Sequence, residues 1–161
     1  MSFLTGALCD RFSSLENFQI AEPLFRYFGG KSQFSGQITT LKVFEDNTLV
    51  RNALEEKVTD RVLVIDGGGS KRCALLGDTL TALAVENGWQ GIVVYGSIRG
   101  SEAINQMPIG VVALNTHPLC SSKHGHGHRD SVITFAGVNF KKDHYLYADS
   151  DGIIVSETKL D

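Results

Sequence analysis

A glycine interrupts an otherwise helical stretch at Gly77-Asp78-Thr79-Leu80, where it is unfavourable by about 1 kcal/mol relative to alanine. Gly77 either permits close packing or breaks the segment, so that a new helix begins near Asp78. In the second case the first-turn N–H groups are unpaired and can hold an anion. Arg99 follows an apolar run, at the presumed carboxyl edge of a sheet, where open α/β sheets bind ligands. Its guanidinium either grips a carboxylate in a bidentate fork or makes an ordinary exposed ion pair.

Other chemistry-bearing patterns are weaker. Gly67-Gly68-Gly69-Ser70-Lys71-Arg72 has neither the P-loop spacing nor the third glycine of a dinucleotide fingerprint. As a glycine-rich strand-to-helix turn it still offers N–H groups to an anion. His124, His126 and His128 alternate with glycines, so an extended chain would put the rings on one face as a metal site. No acid or thiol completes that set, and adventitious binding is the expectation. His117 and His144 stand alone, and Asp149-Ser150-Asp151-Gly152 reads as a turn without the rest of a calcium loop. Cys9, Cys73 and Cys120 are dispersed, which fits idle thiols in a reducing compartment rather than disulfides or zinc.

The elements around these residues follow from periodicity. Arg61 to Asp66 and Gly91 to Tyr95 are continuous apolar runs typical of buried strands, the second ending at Gly96. Between them lies a helical segment with Leu76, Leu80, Leu83 and Ala84 on one face, closing at Asn87-Gly88. Such a strand–helix–strand unit builds parallel sheet. Residues 6 to 28 read as one or two short helices, Ser35 to Phe44 as a strand, and Glu45-Asp46-Asn47 as the cap of a helix reaching about Glu56. Val111 to Leu114, Ser131 to Val138 and Gly152 to Val155 read as further short strands. The expectation is an α/β fold with a parallel core and added antiparallel or mixed strands.

The chain has 161 residues, a size that suits one domain and buries a sufficient core without disulfide or metal. A net charge of −3 argues against phosphate-backbone binding, which calls for a basic face. No apolar run approaches the ~20 residues of a membrane span, and MSFLTGALCD does not read as a signal peptide. A cytoplasmic location without direct nucleic-acid or membrane contact is expected.

Taken together, Asp66 to Arg99, PLFRYFGG, FEDN at Phe44 to Asn47, and YADSDGIIVS at Tyr147 to Ser156 closely resemble one family. It includes the bacterial regulator of ribonuclease activity A (RraA) and the metal-dependent 4-hydroxy-4-methyl-2-oxoglutarate aldolases. The resemblance covers nearly the whole chain. It implies a single RraA-like domain over residues 1–161, an α/β sandwich of the swivelling β/β/α type, and a ring-shaped homotrimer. In the aldolase branch the site lies between subunits. It follows the pattern Asp, twenty residues, Arg, Asp, two residues, acid, with Mg²⁺ or Mn²⁺ on the second Asp. Twenty residues separate Asp78 from Arg99, so these match the first Asp and the Arg as the implied catalytic pair. Gly77, Asp78, Thr79 and Leu80 match the amide-donating turn that, with Arg99, binds the pyruvyl group.

The metal position is Gly100 here, and the last acid's position is Ala103, with Glu102 out of register. A hard cation needs carboxylate oxygen, so no metal is expected to bind tightly, and Gly100→Asp should improve binding. The resemblance thus implies first a regulator that binds and inhibits ribonuclease E and so modulates RNA turnover. The alternative is a divalent-metal-dependent lyase that cleaves 4-hydroxy-4-methyl-2-oxoglutarate to pyruvate and decarboxylates oxaloacetate. A phosphohistidine-type carrier, which shares the fold type, finds no supporting motif around any of the five histidines.

Overall fold

The computed structural model describes residues 2–161. Four parallel strands form the centre of its main sheet: β3 (Phe34–Lys42), β4 (Arg61–Asp66), β6 (Gly91–Ile98) and β7 (Gly110–Thr116). Helices lie in the connections between them: α2 (Thr48–Leu54), α3 (Asp78–Glu86) and the short α4 (Ser101–Ile104). A three-residue strand, β5 (Ala74–Leu76), precedes α3 and pairs in parallel with β6. Antiparallel strands flank the centre. On one side stand β11 (Tyr145–Asp149), β12 (Gly152–Ser156) and β1 (Gln19–Ile20); on the other stands β2 (Arg26–Phe28). The two-residue β8 (His128–Arg129) joins β3, while β9 (Ile133–Phe135) and β10 (Val138–Phe140) make a separate hairpin.

The apolar runs of β4 and β6 are explained by cover on both faces. Leu63, Ile65, Ile92 and Val94 pack with Val50, Leu54, Leu80, Ala84 and Ile104 from the helices. Their neighbours Val62, Val64 and Val93 point the other way, against Phe135, Val138 and Phe140 of the hairpin and Leu146, Ile153 and Val155 of the antiparallel flank. Successive strand residues face opposite sides, so one sheet serves two cores. The result is an α/β sandwich with helices on one face and strands on the other. A third cluster seats α1 (Thr5–Phe12) through Leu8 on Tyr147 and Ile154.

Several boundaries differ from the sequence expectation. Residues 6 to 28 are helical only through Phe12. Asn17 takes a left-handed φ of 63°, Gln19 and Ile20 pair with Val155 and Ile154, and Arg26–Phe28 pairs with β7. Sheet edges that would otherwise be unpaired thereby capture the segment. Leu76 lies in β5 rather than on the helix, and β6 runs through Gly96 to Ile98. The expected strand over Ser131 to Val138 is two strands, because Ala136 and Gly137 both adopt positive φ (52° and 72°) and turn the chain. β11 had no counterpart in the sequence reading.

Leu63 is fully buried between sheet and helices. Leu63→Ala is expected to lower stability by about 2–5 kcal/mol, measured by urea unfolding with an unchanged m-value.

Candidate functional site

The pairing of β5 with β6 brings Gly77 beside Arg99. Leu76 lies opposite Ile98, and the Arg99 N–H donates to the Leu76 carbonyl at 2.9 Å. Gly77 caps α3 with extended backbone, and its carbonyl accepts from the Thr81 N–H at 3.0 Å and the Thr81 hydroxyl at 2.8 Å. The new-helix reading of Gly77 is therefore the observed one. The N–H groups of Asp78, Thr79 and Leu80 have no acceptor among the described residues. The Arg99 side chain packs over Gly77, where an added Cβ would sit 3.5 Å from its Cγ, and its Nη1 donates to the Pro118 carbonyl at 3.2 Å.

These residues line one cavity of about 210 Å³. All five positions expected to bind substrate, Gly77, Asp78, Thr79, Leu80 and Arg99, are brought together there. Sequence reasoning missed Arg51 from α2, and Cys120 and Lys123 from the segment 117–127, which complete the wall together with Asn47 and Ala74. Lys123 Nζ donates to Cys120 Sγ at 2.9 Å. Among the described residues neither Arg51, Arg99 nor Lys123 is ion-paired to a carboxylate, and Asp78 is the only acid in the wall. The cavity therefore carries an excess of positive charge with unpaired amides at one end, a fit for a small carboxylate or other anion. A larger hollow of about 490 Å³ opens at the opposite edge of the sheet, by Asp60, Gln90 and Tyr145, away from all of these groups.

Asp46 binds the segment 117–127 to α2. Its Oδ1 accepts from the Thr48 N–H at 3.0 Å, and its Oδ2 from the N–H groups of His124 at 2.7 Å and His126 at 3.3 Å. Burial pushes this carboxyl up, but the three backbone donors outweigh burial and hold it at about 2. Asp46, rather than Asn47, thus supplies the side-chain cap of α2.

Gly100 stands against Asp78. Its φ is +69°, and a Cβ added there would lie 2.8 Å from Asp78 Oδ1 and 3.0 Å from Asp78 Cβ. The space for a side chain at the family's metal position is occupied by Asp78 itself. Glu102 and Ala103 are exposed on α4. Gly100 supplies no side-chain oxygen at the family's metal position, so within one subunit the residues at that position do not fit its divalent metal. Among the described residues no three His, Cys, Asp or Glu side chains converge elsewhere as a cation cage. His124, His126 and His128 are exposed, with 5.9 Å between the first two ring centroids.

The glycine-rich turn departs from its expectation of free N–H groups. Gly67 and Gly69 donate to the Tyr95 carbonyl at 3.0 and 3.1 Å, and Gly68 to Asp66 Oδ1 at 2.9 Å. Glu45 accepts from Ser70 and Arg72 across the same turn, and both contacts hold its carboxyl below the usual range. The turn closes on itself instead of cradling an anion. Asp149 likewise serves the fold, accepting from the Thr5 N–H and hydroxyl and from the Asp151 N–H. All three cysteines are free thiols.

Fold and cavity define an α/β sandwich protein with a candidate small-anion site at the carboxyl edge of its parallel core. The chain belongs to the RraA-like family described as Aldolase/RraA, which its residues 5–155 match. It is 61% identical over 99% of both chains to a Methylococcus capsulatus protein named "Putative 4-hydroxy-4-methyl-2-oxoglutarate aldolase". A Laribacter hongkongensis protein of the same name is 56% identical, again over 99% of both chains. A Thermus structure described as the RNA-processing inhibitor RraA superposes with a TM-score of 0.93 at 41% identity, covering 98% of this chain and 94% of that one. A Geobacillus kaustophilus structure described as an S-adenosylmethionine:2-dimethylmenaquinone methyltransferase gives a TM-score of 0.94 at 49% identity, covering 98% and 97%.

Gly100→Ala adds a methyl group where φ is positive and Asp78 is already in contact. It is expected to destabilise the protein by more than about 1 kcal/mol, read as a lower urea midpoint. An unchanged midpoint would show that Asp78 gives way freely.

Proposed function

We propose that the chain is an RraA-like regulator, a cytoplasmic homotrimer of single-domain subunits spanning residues 1–161, which binds ribonuclease E and restrains it without binding RNA. The contact between Gly100 and Asp78 carries this reading. It leaves no room beside Asp78 for a metal-ligating side chain unless Asp78 moves, and metal-dependent chemistry loses its anchor. The net charge of −3 accords with docking on a basic protein segment rather than on a phosphate backbone. The 41% identity to the Thermus RNA-processing inhibitor supports the same reading.

A second reading, a lyase acting on 4-hydroxy-4-methyl-2-oxoglutarate or oxaloacetate, is favoured by the intact anion half of the cavity and by the names of the relatives at 61% and 56% identity. In that reading Arg99 and the Asp78, Thr79 and Leu80 amides hold the carboxylate of a 2-oxo acid such as pyruvate. Mg²⁺ or Mn²⁺ would have to find oxygen ligands that this subunit's residues do not bring together.

The two readings separate in an assay of pyruvate release from both substrates, with Mg²⁺ or Mn²⁺ and with chelator, beside capture of ribonuclease E. No turnover above the metal-only blank, together with ribonuclease E retention, is expected. Metal-dependent turnover abolished by Arg99→Ala would overturn the regulator reading. Turnover gained only in Gly100→Asp would identify position 100 as the lost metal ligand.

A further inference from the structure

We propose that Asp46 is a positioning residue that fixes Arg51 and Lys123 in the cavity and thereby sets its preference for ligands with two acidic groups over ligands with one. The inference rests on the anion reading of the cavity. The cavity has two halves held by different means. Arg99 and the first turn of α3 are placed by the β5–β6 pairing and by the Arg99–Leu76 hydrogen bond, none of which involves Asp46. Arg51 rides on α2 and Lys123 on the segment 117–127, and Asp46 is the side chain that joins these two.

Asp46 is only 2% exposed, and its two oxygens divide the work. Oδ1 caps α2 through Thr48, while Oδ2 takes the His124 and His126 N–H groups. Backbone bonds reinforce the seam, from the Asn47 N–H to the Ser122 carbonyl at 3.1 Å and from the Ser122 N–H to the Glu45 carbonyl at 3.0 Å. The other flank of the segment is tied to β5, where the Ala74 N–H donates to the Leu119 carbonyl at 2.7 Å and the Ser121 N–H to the Ala74 carbonyl at 3.1 Å. Lys123 lies on the Asp46 side of that tie.

The charge count gives this placement a purpose. A carboxylate bound by Arg99 and the α3 amides leaves Arg51 and Lys123 without an anionic partner, and like charges around a small cavity repel one another. A second acidic group on the same ligand would meet them. Asparagine at position 46 has nearly the same shape but only one acceptor oxygen. Turned one way it keeps the α2 cap and presents its NH₂ to the His124 and His126 donors; turned the other way it keeps those and loses the cap. In either orientation one of the two side-chain ties is lost and only the backbone bonds still join the elements that carry Arg51 and Lys123, while the Arg99 half is untouched.

The test is calorimetric titration with a matched pair of unreactive probes, L-lactate and L-malate, which differ by one carboxylate. Wild-type protein is expected to bind malate more tightly than lactate. Asp46→Asn and the exposed-residue variant Arg51→Gln should each weaken malate about tenfold, the loss of one charge-assisted contact, and leave lactate unchanged. Circular dichroism confirms that each variant is folded. If Asp46→Asn weakens both probes equally or neither, Asp46 does not position the pair and the proposal fails, even where Arg51→Gln splits them. If the wild type binds neither probe, or Arg99→Ala leaves both affinities intact, the anion reading itself is wrong and the proposal falls with it.

Discussion

The backbone hydrogen bond from Arg99 to Leu76, 2.9 Å long, is the contact on which the candidate site depends. It exists because β6 runs on past Tyr95 to Ile98 and captures the three residues of β5 as a parallel neighbour. That capture halts the chain at Leu76, so that Gly77 can open a helix instead of continuing one. The same register sets the Arg99 side chain over Gly77. One short ladder therefore places a guanidinium and three amides that are unpaired among the described residues in the wall of one cavity. Helices cover β4 and β6 on one face, and the hairpin covers them on the other.

Much of this was legible in the chain. The runs Arg61 to Asp66 and Gly91 to Tyr95 are apolar without alternation because both faces of the sheet are covered, and they marked the parallel core correctly. The misfit of Gly77 inside a helical pattern left close packing and a new helix near Asp78 both open, and α3 begins there. Other features left no local signal. β5 is three residues long, and Leu76 falls equally well on the face of a helix. β1 and β2 are strands only because the edges of β12 and β7 accept them. β11 was hidden because Tyr145 to Asp149 runs into the polar turn that begins at Asp149.

The site shows the same division. Asp78 and Arg99 were paired through the spacing that the family resemblance implies. Arg51, Cys120 and Lys123 come from two other segments whose meeting with α3 is decided by tertiary packing around Asp46. Nothing in the spacing of FEDN announced that its aspartate would bind the backbone of residues 124 and 126. The glycine-rich turn misled in the opposite direction, since its N–H groups are consumed by Tyr95 and Asp66. Gly100 lies between these cases. Set against the family pattern its identity implied a missing carboxylate, and the structure adds that Asp78 fills the space.

In the proposed site a carboxylate is held by the Arg99 guanidinium and the α3 amides without help from a metal. Oxalate is a direct probe, because it presents a carboxylate to Arg99 and chelates a divalent cation where one is bound. Its affinity would be measured by titration in chelator and again with saturating Mn²⁺. Equal affinity in both conditions, lost in Arg99→Ala, is the predicted result. Binding that appears only with Mn²⁺ would contradict the account and show that the cavity holds a metal after all.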